Sequence, residues 1–326
     1  SLLDARVAKL RFDNPAADAA PFDMTNTSAL VEIVGEHLLF APSAISIRRL
    51  TGQIAGQKQF GPTDLSVRKN ALNEGFEWGV QAQKLDAAQA KAIVMELGPH
   101  LGQQDRLERV KAFEFSGLVK QLDVSWRTGG DKPFSDSQAF NSDIDFTNLT
   151  ALYRDPSAQS NGKITGFRNV SGTFKGSNSQ GKWTLMGRNV EFALPEIFAV
   201  DVLKFNELAG QGAWENVFAT DLPVEVSIDK MLARNADLQV DVAGSYEFRR
   251  EEPDVINLKG NLPMANVAHV SNYLPLIVGS SARAWLTENL KAGVARNGEF
   301  ELSGRLSDFP FDDPKSKGVF RIEVPF

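Results

Sequence analysis

From Leu238 to Phe248 the chain alternates without a break. Leu238, Val240, Val242, Gly244, Tyr246 and Phe248 fall on one parity, and Gln239, Asp241, Ala243, Ser245 and Glu247 on the other. A period of two belongs to the β-strand, whose successive side chains point to opposite faces, and not to the helix, which repeats every 3.6 residues. The alternation returns in Phe76, Trp78 and Val80, interleaved with Glu77 and Gly79, and in Val224, Val226 and Ile228, interleaved with Glu225 and Ser227. One apolar and one polar face per strand is the pattern of antiparallel sheet. Further strands are predicted near residues 5–12, 30–40, 45–56, 64–70, 113–126, 142–153, 167–176, 182–194, 203–212, 255–262, 299–306 and 319–324. Turn chemistry separates them, as in Gly176-Ser177-Asn178-Ser179-Gln180-Gly181, Asn297-Gly298 and Glu251-Glu252-Pro253-Asp254.

A five-residue unit recurs inside these strands: apolar, small, glycine, any residue, apolar. It occurs at Leu50-Thr51-Gly52-Gln53-Ile54, Phe115-Ser116-Gly117-Leu118-Val119, Val170-Ser171-Gly172-Thr173-Phe174, Val242-Ala243-Gly244-Ser245-Tyr246 and Leu302-Ser303-Gly304-Arg305-Leu306. With 26 glycines and 42% hydrophobic residues, chance supplies about one such unit. In strand geometry each glycine shares a face with its apolar neighbours and empties the middle of it. The space suits a curved wall or clearance for acyl chains, and bulges account for it equally well.

Two helical blocks interrupt the strands. The first runs from Asp86, a candidate N-cap, to Leu97, where Gly98-Pro99 ends it, inside an insert near 86–112. The second comprises Met264 to Leu274, stopped by Pro275, and Ser281 to Lys291, inside an insert near 264–292. Phe113-Glu114-Phe115-Ser116-Gly117 and Phe300-Glu301-Leu302-Ser303-Gly304 follow the two blocks in equivalent places, the pattern of a gapped duplication. The Gly-, Asp-, Pro- and Ser-rich stretch 127–138 is the candidate boundary, which gives segments 1–126 and 127–326.

Composition removes several functions. Lys and Arg total 35 against 41 Asp and Glu, a net charge of −6, with no run of five like charges, which argues against a nucleic-acid partner. The absence of cysteine excludes disulfides, thiolate metal sites and Cys nucleophiles. No stretch of 18 apolar residues is present, and the chain opens on Ser1-Leu2-Leu3-Asp4 and stops inside an alternating pattern, so an excised segment of a larger β-protein is expected. His37, His100 and His269 are far apart in sequence and outside any metal or nucleophile-base motif. Asp143 and Asp145 alternate with Ile144 and Phe146, as on the solvent face of a strand, and Asp312-Asp313-Pro314 is turn chemistry. Phosphate-loop, dinucleotide and nucleophile-elbow motifs are missing. The sequons at Asn26, Asn148 and Asn169 carry meaning only in a glycosylating pathway. No cofactor, metal or catalytic residue is therefore assigned.

What remains is the apolar face. Its candidate lining is Leu50, Gly52, Ile54, Phe76, Trp78, Val80, Phe115, Gly117, Val170, Gly172, Phe174, Trp183, Leu185, Val224, Val226, Ile228, Val240, Val242, Gly244, Tyr246, Phe248, Phe300, Leu302 and Gly304. Two arrangements satisfy it: a closed core, as in a structural or adhesive sandwich or barrel, or an open curved sheet whose inner face holds a ligand. A polysaccharide hydrolase on a β-helix or sandwich is a third class, and it requires carboxylates clustered in a cleft.

The C-terminal block carries a family resemblance. Tyr273-Leu274-Pro275, Ala282-Arg283-Ala284-Trp285-Leu286, Leu290, Gly293, Gly298-Glu299-Phe300-Glu301-Leu302-Ser303-Gly304 and Leu306-Ser307-Asp308-Phe309-Pro310-Phe311 resemble the YhdP-type AsmA-like proteins of Gram-negative bacteria. In the middle, Gly166-Phe167-Arg168-Asn169-Val170-Ser171-Gly172-Thr173-Phe174 and Phe192-Ala193-Leu194-Pro195 are similar to the same family. The resemblance covers most of residues 60–326. It implies a mainly β protein with a few short helices, its long curved antiparallel sheet forming an open, taco-like apolar groove. It further implies a periplasmic segment tethered by an inner-membrane anchor outside this chain, phospholipid acyl chains as partners, and passage of phospholipid between the inner and outer membranes without enzymatic chemistry.

Overall fold

A computed structural model describes residues 2–12, 22–35, 43–54, 59–97, 104–129, 137–156, 163–217, 222–311, 313 and 315–325. The chain divides into two compact units, Ser1–Pro156 and Ser157–Phe326. The first holds β1 (Leu2–Phe12), β2 (Phe22–Val34), β3 (Ala44–Ile54), β4 (Phe60–Ala71), β5 (Phe76–Asp86), α1 (Ala87–Leu97), α2 (Gln104–Lys111), β6 (Phe113–Thr128) and β7 (Ser137–Arg154). The second holds β8 (Ile164–Ser177), β9 (Gln180–Ala193), β10 (Leu203–Glu215), β11 (Val224–Arg234), β12 (Leu238–Phe248) and β13 (Val255–Asn266). A 3₁₀ segment (Val267–Tyr273), α3 (Ser280–Asn289), β14 (Val294–Arg305) and β15 (Val319–Glu323) complete it. Within each unit consecutive strands pair antiparallel, β1 through β7 and β8 through β15. Every extensive strand-to-strand contact within a unit is between such neighbours, so each unit is an unclosed meander without a second sheet across its face. The molecule is mainly β, with an open antiparallel sheet and a few short helices, as the sequence pattern and the resemblance implied.

Cross-strand partners share a face, and the register sorts the residues by polarity. In the first unit one face carries the rows Ile33, Ile45, Val67, Val80, Val124 and Val31, Ile47, Leu65, Ala82, Leu122, Ile144. The other carries Glu32, Ser46, Ser66, Gln81, Asp123 and Asp143. Asp145 shares that polar face, opposite Gln121.

Mid-strand residues with positive φ interrupt the strands: Asn26 (51°), Arg49 (52°), Lys84 (55°), Asn148 (48°), Asn169 (61°) and Asn189 (52°). Asn reaches the left-handed region more readily than most residues because its short side chain bonds locally. The sequon asparagines Asn26, Asn148 and Asn169 are thus backbone-bending positions, each at a register shift. These shifts also hid the first half of β2, which begins at Phe22 rather than near 30; residues 36–40 of the predicted strand, with His37, lie outside the described residues. His100 and the Gly98-Pro99 stop lie outside them too.

Asp86 caps α1, its Oδ1 accepting the Gln89 amide at 3.0 Å. The second helical block starts later than the sequence suggested. Met264 and Ala265 still pair with Arg296 and Ala295 in β13, and helical turn begins only after Asn266, whose side chain accepts the Ala268 amide. The segment to Tyr273 is 3₁₀ rather than α, and α3 ends at Asn289.

Candidate functional site

In the second unit three apolar rows cross the sheet. Gly172, Leu185, Gly210, Met231, Val242, Gly260, Phe300 and Ile322 are successive cross-strand partners from β8 to β15. Phe174, Trp183, Gly212, Ile228, Gly244, Leu258, Leu302 and Phe320 form the next row over the same eight strands. Trp214, Val226, Tyr246, Ile256 and Gly304 continue a third, and Val224 pairs with Phe248, and Val240 with Ala233, on the same face. At about 4.8 Å per strand each eight-strand row makes an apolar path of about 34 Å. Much of it stays in contact with solvent: Phe248 is 49% exposed, Ile322 45%, Phe320 37% and Val226 36%. Val67 (47%) and Ile45 (37%) do the same on the apolar face of the first unit.

The recurring glycines lie on these faces, yet neighbouring protein fills the room they leave. A Cβ on Gly244 would stand 1.9 Å from the Asn257 carbonyl oxygen, on Gly172 2.1 Å from that of Thr184, and on Gly117 2.4 Å from that of Asn148. Gly304 faces Gly318 and the Phe311 ring. Gly117 (φ 104°), Gly244 (148°) and Gly304 (137°) also adopt backbone that a side chain would strain. The glycines that pair with aromatics behave alike: Trp183 lies over Gly212, Trp214 over Gly181, and Phe300 over Gly260. The clearance read from the sequence is therefore occupied by close strand backbone and flat cross-strand rings. Gly52 is buried opposite Phe60, and of Ile54 only the backbone is described.

The YhdP family model, described as YhdP protein, matches residues 45–326. The chain belongs to the YhdP family. No curated protein and no solved structure matches it. The match spans all of the second unit and the first from β3 onward, the region that contains both helical inserts.

In this family member each insert covers one end of an apolar face. Ala92 and Ile93 of α1 pack on the cluster of Met24 and Leu50, with Ala29, Ile47 and Leu65 around it. Lys91 Nζ ties the helix down by donating to the carbonyl oxygens of Lys111 and Phe113. In the second unit the Tyr273 ring meets Phe205 at 6.4 Å, and Asn235 Nδ2 donates to the Tyr273 hydroxyl at 2.8 Å. Burial raises the Tyr273 pKa. Asp237 Oδ1 holds His269 Nδ1 at 2.7 Å and accepts from Asn266 Nδ2 at 3.1 Å, so the only described histidine sits in a hydrogen-bonded fastening. Trp285 is 60% exposed on α3.

Polar groups on the apolar faces are few. The Tyr246 hydroxyl donates to Asp254 Oδ2, and its pKa is pushed up to about 12, chiefly by burial and then by that bond. Lys69 lies opposite Trp78, its Nζ 4.1 Å from the Phe76 ring centre and 5.1 Å from that of Trp78. The polar faces carry exposed ion pairs such as Lys259–Glu301 (3.1 Å) and Glu301–Arg321 (3.0 Å), and the Lys259 bond, ahead of Arg321, lowers the Glu301 pKa. Pairs this open to water contribute little stability. Phe115 stacks on Phe113 at 5.3 Å, and Val170 is buried. Lys69, Trp126 and Phe140 were not singled out in the sequence; Trp126 and Val124 did signal themselves by alternation, whereas the short apolar stretch around Phe140 did not.

Proposed function

We propose that this chain is a segment of a periplasmic lipid-conducting β-groove, whose apolar faces shield acyl chains while phospholipid moves between the inner and outer membranes. Membership of the YhdP family suggests a lipid transport role in the envelope. The observation that carries the reading is the set of apolar rows across β8–β15, unbroken from strand to strand and partly open to solvent. A closed core would bury Phe248 and Ile322 against a second layer, and within the unit no such layer faces them.

Exposure of a diacyl chain pair to water, at about 0.8 kcal/mol per methylene and roughly 28 methylenes, costs on the order of 20 kcal/mol. A continuous apolar wall removes most of that barrier. Headgroups stay in water, so the role requires no catalytic residue; the rest of the polypeptide supplies the membrane anchor. No helix among the described residues is long and apolar enough to cross a membrane. The test is photo-crosslinking from Val240 and Leu302 in the bacterial envelope. Capture of phospholipid at both positions is expected, and capture of none at either refutes the groove.

A further inference from the structure

The two ends of the apolar face in the second unit differ. Where β12 ends and β11 begins, Phe248 and Val226 are exposed. At the opposite end, where β10 begins, Leu203 and Phe205 are buried; the Tyr273 ring of the insert lies against Phe205, which meets Phe192 in turn at 6.3 Å. The insert leaves and rejoins the sheet at one point. Asn266 and Val294 are the last rung of β13 and β14, and the Val267 amide donates to the Gly293 carbonyl oxygen at 3.1 Å, so residues 268–292 hang from a single neck. Gly293 has φ 127°, and a Cβ on Gly279, just before α3, would meet nothing within 4 Å.

The hold of the insert on the sheet is slight. Within residues 267–292 only Leu274 and Val278 are buried among the described residues. The extensive contacts of α3 are with the 3₁₀ segment and with no strand. Beyond the neck, Asn235 Nδ2 donates to the Tyr273 hydroxyl at 2.8 Å, His269 Nδ1 lies 2.7 Å from Asp237 Oδ1, and the Leu276 amide donates to the Ile197 carbonyl oxygen at 2.7 Å. The His269 and Asp237 side chains are 50% and 32% exposed, so water competes for that pair. Few buried apolar contacts and water-accessible hydrogen bonds are the marks of a segment that opens locally while the strands beneath it stay folded.

We propose that residues 267–292 are a hinged cover, which swings out on its neck and uncovers Phe192, Leu203 and Phe205 to an acyl chain entering the apolar face from this edge. Opening breaks the bonds to Asn235, Asp237 and Ile197 and keeps the rung between Asn266 and Val294. The acyl chain then takes the place of the Tyr273 ring against Phe205, one apolar contact for another, so the aromatic residues beneath do not stay in water. The proposal rests on the groove reading and adds a lateral entry point to it.

The chain has no cysteine, so Asp237→Cys with His269→Cys introduces the only two thiols. A short bifunctional thiol reagent then ties the insert to the turn between β11 and β12, and the mass shift confirms the link. Native mass spectrometry follows the loading of phosphatidylglycerol, and hydrogen exchange follows the opening. The linked chain should stay empty over the time in which the unlinked double variant saturates, and lipid loaded before linking should stay bound. Tyr273→Phe, which removes only the hydroxyl that Asn235 holds, should load about fivefold faster than wild type, the worth of one neutral hydrogen bond. In wild type the segment 268–279 should exchange faster than β9 and β10. Equal loading by the linked and unlinked chains overturns the cover and leaves the groove standing, as does exchange of 268–279 as slow as that of β9 and β10. Expulsion of preloaded lipid on linking also overturns it. Failure of the wild type to load phosphatidylglycerol overturns the groove reading and the entry point with it.

Discussion

Gly212 provides the sharpest test of why glycine recurs on the apolar face. A methyl group there would stand 1.9 Å from the Ser227 carbonyl oxygen and 2.7 Å and 2.8 Å from Cζ2 and Cε2 of the Trp183 indole. The indole is only 7% exposed, and its ring also covers Gly210. Gly-to-Ala in a strand interior ordinarily gains about 0.5–1 kcal/mol by restricting the unfolded chain. Here the gain is outweighed. A buried Trp removes roughly 150–250 Å² from water, worth about 4–6 kcal/mol at 25 cal/mol per Å². Lifting half of the ring, with a backbone shift at Ser227, costs about 2–3 kcal/mol on that scale. Gly210→Ala is the control: its Cβ would meet the flexible tip of Met231 at 3.2 Å and Trp183 Cζ3 at 3.4 Å, contacts that small movements relieve. Urea unfolding should show Gly212→Ala about 2 kcal/mol less stable than wild type and Gly210→Ala within about 0.5 kcal/mol of it. In a Trp183→Ala background the Gly212→Ala penalty should shrink, because one of the two clashes is gone. A Gly212→Ala chain as stable as wild type, yet unable to load lipid, refutes the reasoning, since the glycine would then be clearing space for ligand.

Three further outcomes follow from the same faces. Val240→Asp should abolish lipid loading in native mass spectrometry, while Ala243→Glu, exposed on the opposite face beside Lys259, should leave it unchanged; circular dichroism checks that both fold. Asn169→Val should cost about 1–2 kcal/mol in chemical denaturation and Asn169→Gly less than about 0.5, because φ is 61° there. Tyr246 has a folded pKa near 12, above its ordinary value near 10, so the folded chain holds the phenol proton more tightly. Its contribution is complete below pH 10 and lost as pH rises toward 12, and Tyr246→Phe should flatten the fall in melting temperature across that window.

The face of most candidate residues was legible because a strand repeats every two residues and a buried side chain cannot be polar without a partner. Val224, Val226 and Ile228 pair with Phe248, Tyr246 and Gly244, all from the apolar parity. The purpose of the glycines was not legible, because a Cβ clash with a neighbouring strand depends on register, which no single strand encodes. The asparagines of the sequons looked uninformative for the same reason: positive φ is a tertiary outcome that Asn permits and does not announce. The helical inserts were legible as elements through Asp86 and Pro275, while their seats on Leu50 and Phe205 required the strand order.

The bends explain how one face stays apolar over strands of up to 18 residues. Ile47 and Leu50 lie on the same face although they are three residues apart, with Arg49 (φ 52°) between them. Ala82 and Leu85 repeat the spacing around Lys84 (φ 55°), and their partners Leu122 and Val119 do so around Lys120. Strict alternation would have turned Leu85 and Val119 onto the polar side. The inserted residue instead points outward, Lys84 and Lys120 being exposed, and resets the phase. Each bulge also bends its strand and raises the local right-handed twist. Such shifts recur on β2, β3, β6 and β7, so the devices that preserve the apolar face are the same ones that curve it. A flat sheet with this much exposed apolar surface would present a template for aggregation. Under the proposed function, an acyl chain held against the curved face gives that surface its partner.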